Sequence, residues 1–375
     1  MPEIIYFYFM TRKTLTLILL FLLPLACFSQ FTIKGKIIDK ADNKPVPGVS
    51  AFLSNSSAGS STTVDGIFTI NNVRGGQYEL VVSMLGYETY RKTLLVNQDI
   101  TLDVIVLTSK ITTLKEVSIR PDPDWERNYQ DFKRDFMGSS DLAQKCKILN
   151  PESIYVHFDK EKKQLTASSS DFVVIENRAL GYRVRYLLNN FLHDSQSNLV
   201  YFAGSAAFEQ LEGTESEKRT WEKTRLTVYK GSSMHFLRSV IANQLPEEGF
   251  IVLRLIRKLN PDYHGAPEKK YNESLVTPPL EIPAFVKLTT TKGIYVLTFN
   301  DCLYVNHLNK PIKTNSSLHL GSSDSSTVLI LGEQYVVFDN NGIFVDPASV
   351  TFEGKWGESR IAELLPVDYE PALNK

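Results

Sequence analysis

The chain has 375 residues, more than one average domain needs. Hydrophobic residues make up 43% and charged residues 22%, a globular balance that excludes wholesale disorder. Lys+Arg 41 against Asp+Glu 42 gives a net charge of -1, without the cationic surplus that neutralising a phosphate backbone needs, so nucleic acid is excluded as a partner. With Cys 3 in the whole chain, no disulfide scaffold supports the fold.

Residues 1–29 have the form of an export signal. Thr11-Arg12-Lys13 supply a positive start, Leu15–Ala26 an apolar stretch broken by Thr16 and Pro24, and Ser29 a small residue before a cut at Gln30. As a helix the apolar stretch spans about 18 Å, short of the roughly 30 Å hydrocarbon core. Met10 stands directly before Thr11-Arg12-Lys13, so translation starts at either Met1 or Met10. Leu25-Ala26-Cys27 offers a second reading, a lipoprotein acceptor cysteine, although Pro24 replaces the Leu that this motif takes. Attachment to a membrane is expected only through acylation of Cys27, because no later stretch reaches about eighteen consecutive apolar residues. The expected location is the periplasm or the outer membrane. Cys146 and Cys302 remain as two buried thiols, or as a pair in an oxidising compartment.

Residues 30–108 are dense in strand signals. Phe31–Asp39 alternates and breaks at Ala41–Pro45, and Val46-Pro47-Gly48-Val49 restarts an extended chain. Asp65-Gly66 between Thr62-Thr63-Val64 and Ile67–Ile70 predicts a tight hairpin, because glycine accepts the positive φ of such a turn. Tyr78–Ser83 follows the Gly75-Gly76 turn. In Ile100–Leu107 the alternation places Ile100, Leu102, Val104 and Val106 on one face. Six or seven short strands predict an antiparallel β-sandwich. Asp65 is a turn former, since one carboxylate without acidic neighbours is a poor calcium site.

Gly35, Pro47-Gly48-Val49, Thr63–Phe68, Gly76-Gln77-Tyr78 and Ser83–Tyr87 together resemble the carboxypeptidase regulatory-like, or transthyretin-like, domain. The resemblance implies a seven-stranded sandwich with no catalysis of its own. Such domains stand beside peptidases, on TonB-dependent transporters and in other surface proteins of Bacteroidetes-like bacteria.

Residues 109–150 are expected to form a connector strand and amphipathic helices. Thr113–Pro121 resembles the segment that joins this sandwich to the plug of TonB-dependent transporters, but the residues that follow are too few for a plug and a large barrel. Trp125, Tyr129, Phe132 and Phe136 fall on one helical face, a pattern of core packing. Ser139-Ser140-Asp141 predicts a second short helix through Lys145.

Residues 151–375 predict a mostly-β, α+β domain. Strands are expected at Ile154–Phe158, Leu165–Ala167, Phe172–Ile175 and Tyr182–Tyr186, with Tyr182, Val184 and Tyr186 inward and Arg183 and Arg185 on the opposite face. Asn198–Leu211 is one long strand or a bent pair. Helices are expected over Thr214–Thr224, anchored by Trp221, and from Ser232 to about Asn243. Phe250–Ile256 is a buried strand, and Asn260–Pro283, rich in proline, a long surface loop. Further strands are expected at 285–289, 294–299, 327–331, 335–338, 342–345, 350–352 and 361–365, with a polar, turn-rich stretch at Pro311–Ser326. Ala179–Arg183, Tyr229–Ser232 and His235–Ser239 resemble a domain of unassigned role that follows the same sandwich in Bacteroidetes proteins.

Chemistry is sparse. None of the histidines at 157, 193, 235, 264, 307 and 319 opens the His-x-x-Glu of a zinc carboxypeptidase. Gly-x-Ser-x-Gly, a Walker loop and a dinucleotide glycine pattern are also missing. No catalytic, cofactor-binding or metal-ligating residue is assigned. The remaining cluster is Arg183 and Arg185 on one strand face with His235 and Arg238 three apart on a helix, a set able to hold an anion or to form ion pairs with acids such as Glu209 and Glu212. The expectation is a non-enzymatic exported envelope protein, its sandwich a docking or spacer module and its second domain a binding or assembly surface, with envelope proteins or glycans as partners. The alternatives are a hydrolase with an unrecognised site in the second domain, or an accessory of TonB-dependent uptake.

Overall fold

A computed structural model describes residues 30–110, 123–265, 270–312 and 325–371. The expected export signal, Cys27, the TonB-like segment, most of Pro311–Ser326 and the last four residues lie outside the described residues.

The sandwich is built from β1 (Gln30–Asp39), β2 (Ser50–Leu53), β3 (Gly59–Ser61), β4 (Ile67–Arg74), β5 (Gly76–Ser83), β6 (Tyr90–Val96), β7 (Ile100–Thr101) and β8 (Ile105–Leu107). One sheet pairs β4 with β1, and β1 in turn with β7 and β8; the other runs β3-β2-β5-β6. Ile33, Ile37, Phe68, Ile70, Leu80, Val82 and Leu94 fill the space between them. Two details differ from the sequence expectation. β7 and β8 pair with β1 in parallel, so the sandwich is not purely antiparallel. The break at Leu102–Val104 also resets the alternation: Ile105 and Leu107 are buried, whereas Val104 and Val106 are exposed.

The Asp65-Gly66 turn is present but does not make a hairpin. Thr63 donates to the Ile67 carbonyl at 2.9 Å, yet β3 and β4 diverge into opposite sheets. Gly66 has φ +72, and a Cβ there would lie 2.4 Å from the Ile37 carbonyl oxygen. The turn thus fixes the passage of the chain from one sheet to the other.

The second body holds α1 (Trp125–Met137), β9 (Cys146–Ile148), β10 (Ile154–Asp159), β11 (Gln164–Ser169), β12 (Val173–Asn177), β13 (Tyr182–Asp194), β14 (Leu199–Gln210) and α2 (Glu215–Tyr229). β13 and β14 form a long antiparallel hairpin, and β13 pairs along its other edge with β12 and then with β11. Tyr182, Val184 and Tyr186 face the core with Tyr129, Phe132 and Phe136 of α1, as their spacing predicted. The expected helix before Lys145 is only the 3-10 turn Ala143–Lys145. The helix expected over Thr214–Thr224 extends five residues further, to Tyr229, and Thr214 caps it in a reciprocal box with Glu217.

A third apolar core lies within the span read from sequence as a single domain. It collects α3 (Ser233–Ile241), β15 (Phe250–Leu259), β17 (Val286–Leu288), β18 (Ile294–Leu297), β19 (Cys302–His307), β20 (Ser326–Leu331), β21 (Val336–Asp339), β22 (Val350–Gly354) and α4 (Lys355–Glu358), while β16 (Tyr271–Val276) pairs with β15 outside it. One sheet runs β16-β15-β19-β20-β22 and another β17-β18-β21. The loop expected over Asn260–Pro283 contains β16, an exposed edge strand that leaves no apolar alternation to read. β19, central in its sheet, shows no alternation for the opposite reason, being buried on both faces. Gly342–Val345 makes a Phe338–Phe344 bridge without forming a strand, and the strand expected at 361–365 is replaced by the 3-10 turn Ile361–Glu363. Cys146 and Cys302 are both free and buried, with no bond between them.

Replacing Gly66 by Ala should cost about 2–4 kcal/mol, from the strained φ plus the clash with Ile37. Gly48 shares a positive φ of +74, but a Cβ at that position would meet nothing within 4 Å. Gly48→Ala should therefore cost only about 1 kcal/mol. Urea midpoints of the two variants would separate; equal midpoints would contradict the close approach at Gly66.

Candidate functional site

The four charged residues singled out in the sequence occupy two places. Arg183 and Arg185 lie on the outward face of β13, the face that carries Leu187 against Phe52 and Val81 of the sandwich. Arg185 donates to the Ser50 hydroxyl, lies 4.5 Å above the Phe172 ring and pairs with Glu209 at 3.5 Å. Arg183 pairs with Glu176 at 3.7 Å and stands opposite Glu209 in the β13–β14 register. The Nε atoms of both arginines are buried without a hydrogen-bond partner.

His235 and Arg238 share one side of α3 but serve separate contacts. The buried His235 ring accepts the Gly231 N–H at Nδ1 (3.0 Å) and reaches Glu248 at 2.9 Å through Nε2, which leaves Nε2 to carry the proton. Arg238 donates through Nε to the Asn341 carbonyl (2.9 Å), and through its two terminal nitrogens to the Tyr369 and Val367 carbonyls (2.8 Å each). Neither residue of α3 shares a hydrogen-bond or ion-pair partner with Arg183 or Arg185.

Arg183 instead lines a cleft of about 660 Å³ between the ends of β12, β13 and β14 and the start of α2. Its charged lining is Glu176, Glu209, Glu212 and Glu217 against Arg178 and Arg183. Trp221 forms its floor, held by a bond from Nε1 to the Arg178 carbonyl (3.0 Å). Gly181 and Gly213 allow the loops to close on that ring, since a Cβ at either would lie within 2.4 Å of it. Such a cleft carries a surplus of two negative charges, with carboxylates that accept hydrogen bonds and guanidinium groups that donate them. Among the described residues, no group of three or more His, Cys, Asp or Glu side chains could hold a metal ion.

Sequence reasoning missed Arg225 and Asn341. Arg225 donates to the Leu180 and Gly181 carbonyls (2.7 and 3.2 Å) and stacks 3.9 Å above Tyr182, so it holds the loop behind the cleft. Asn341 donates to the Gln77 carbonyl at 3.2 Å, joining the third body to the sandwich. The Asn341-Gly342 pair was legible as a turn, and it is one. Gly342, with φ +79, brings the turn within 2.9 Å of the Met234 carbonyl, measured from a Cβ that glycine lacks.

Burial pushes His307 down to about 4 and also lowers His235. Burial raises Asp339 to about 6 despite three N–H bonds from Asn341 and Ile343. The signs oppose one another. The histidines bind protons more readily when unfolded, so their contribution is complete above about pH 6.5 and is lost as pH falls, for His307 through about 4. Asp339 contributes below its unfolded value, and that contribution is lost as pH rises through about 6. His307→Phe should flatten the acid loss by about 1–2 kcal/mol, after allowance for partial solvent screening. Asp339→Asn should steepen it. Urea midpoints between pH 4 and 7 check both variants; parallel profiles in all three proteins would contradict these assignments.

Residues 33–119 match the family model of the CarboxypepD_reg-like domain. A search among curated proteins gives no match. Among solved structures, a type II cohesin–X-dockerin complex from Acetivibrio cellulolyticus is 19% identical over 21% of this chain and 58% of that chain, with a TM-score of 0.20. The pilus 2b backbone protein of group B streptococcus is 18% identical over 21% of this chain and 41% of that one, with a TM-score of 0.18. The 3-chlorocatechol 1,2-dioxygenase of Rhodococcus opacus is 9% identical over 22% and 60%, also at 0.18. The chain thus spans less than two thirds of the length of these structures. The family match falls on the sandwich, and there it agrees with the motifs from Gly35 to Tyr87.

Proposed function

We propose that the protein is an exported, non-enzymatic component of a bacterial cell envelope, in which the sandwich and the bodies behind it act as one binding or assembly unit. The observation that carries this reading is the fixed seat of the sandwich. Asn55 donates to the Ala206 carbonyl (2.7 Å) and Phe208 to the Ser56 carbonyl (3.0 Å), so the turn after β2 extends the edge of β14. Arg91 of β6 bonds to Ser205 at 2.6 Å and to Asn189 at 3.3 Å. Asp368 receives the Ser57 N–H at 2.9 Å, and Asn340 donates to the Gly75 carbonyl at 3.1 Å.

A sandwich held along one edge and at several side chains contributes surface to a common body instead of swinging as a tether. The export signal at 1–29 supports placement outside the cytoplasm, in the periplasm or at the outer membrane. The cleft beside Arg183, lined by both carboxylates and guanidinium groups, supports an envelope protein or a glycan as partner, since both present hydrogen-bonding groups.

Photo-crosslinking from position 216, at the cleft, in the native cell tests the proposal. The expected result is a mature chain beginning at Gln30 or at an acylated Cys27, recovered with envelope membranes and linked to an envelope protein or glycan. A chain retaining residues 1–29, recovered alone from the cytoplasmic fraction, would overturn it.

A further inference from the structure

A second concavity lies away from the Arg183 cleft, at the seam between the second and third cores. It has a volume of about 320 Å³ and is lined by the end of α2, the start of α3, α4 and residues 359–365. Its apolar lining includes Leu142, Phe202, Val228, Met234, Phe352 and Leu364. All six are packed against a core yet stay only partly buried. Each would gain by further removal from water, so the seam favours an apolar occupant. Trp356 closes one wall, fixed by a 2.7 Å bond from its Nε1 to the Gly231 carbonyl.

The charged lining is Lys230, Lys355, Arg360 and Glu363, a surplus of two positive charges. Arg360 is spent on the carbonyls of Asp135, Gly357 and Ser359. Lys230 and Lys355 are exposed and form no ion pair with a described residue. Two exposed ammonium groups, free of ion pairs with described residues, in the lining of an apolar hollow complement an anion that carries a hydrocarbon tail. The volume is at the lower end for ligand pockets, roughly 300–1,000 Å³, which admits one chain and not two. From this juxtaposition we infer that the seam binds a single-chain fatty carboxylate, with its tail against Phe202, Met234 and Trp356 and its head between Lys230 and Lys355. The site is separate from the Arg183 cleft and does not depend on where the protein resides.

The test is quenching of tryptophan fluorescence in the full chain by 11-bromoundecanoate, below the concentration at which it forms micelles. Saturable quenching is expected, and Trp356→Phe should remove most of it. The double variant Lys230→Gln/Lys355→Gln changes only exposed side chains and should weaken binding about tenfold. Val228→Phe, which fills the hollow, should abolish binding. Equal affinity for the neutral 11-bromoundecanol, or unchanged affinity in the double lysine variant, would overturn the assignment of the head site. Quenching that never saturates, or that persists in Trp356→Phe, would overturn the tail site. Displacement of the probe by dodecyl phosphate but not by dodecanoate would overturn the carboxylate.

Discussion

The guanidinium of Arg238 satisfies three backbone carbonyls that belong to two distant segments. Asn341 closes the turn after β21, and Val367 and Tyr369 lie near the end of the chain. Left without a donor, each carbonyl facing the protein interior would cost about 1–3 kcal/mol. Arginine suits this role because its planar fork presents several donors in fixed directions, whereas lysine offers a single ammonium group. The two segments held in this way also touch the sandwich. Val367 donates to the Asn55 carbonyl at 2.7 Å and is buried in the sandwich core, and Asn341 reaches the Gln77 carbonyl. One side chain on α3 thereby ties the third body, the tail and the sandwich together.

The remaining contacts build on that knot. Ile361, Ala362 and Leu365 enter the second core, so a single stretch of tail passes from the second core to the first. Phe52, Val81, Leu187 and Ala207 form a small apolar patch between the sandwich and the β13–β14 hairpin. Arg91 and Arg185 border this patch with hydrogen bonds, which keeps charge at the rim and leaves the centre dry. The charged residues that stood out in the sequence are therefore largely engaged in joining the parts of the molecule. Arg183 is the exception, since it lines an open cleft.

Local patterns were legible wherever one face of an element is buried and the other is wet. The stripe from Trp125 to Phe136 and the alternation from Tyr182 to Tyr186 both pointed inward, as they do in the structure. Ser232 announced its helix because a capping side chain satisfies backbone N–H groups within its own turn. β16 and β19 were hidden for opposite reasons, one exposed on nearly every residue and the other buried on nearly every residue. The Asp65-Gly66 turn shows a further limit. Its residues specify the bend, but whether the two strands pair is decided by β1 and β2, which take β4 and β3 respectively as partners. Sequence spacing placed His235 and Arg238 on one side of α3, but it could not show that Arg238 bonds to carbonyls from the tail. That contact spans 129 and 131 positions.

Amide hydrogen exchange in Arg238→Ala compared with the parent protein tests the knot most directly. Exchange at Val367, Asn55 and Phe208 should accelerate together by about ten- to a hundredfold, the amount set by losing hydrogen bonds to a charged donor. Amides inside the sandwich, such as Ile37, should keep the parent rate, which separates loss of docking from general unfolding. Parent-like exchange at Val367 and Asn55 in the variant would contradict the claim that Arg238 holds the sandwich in place.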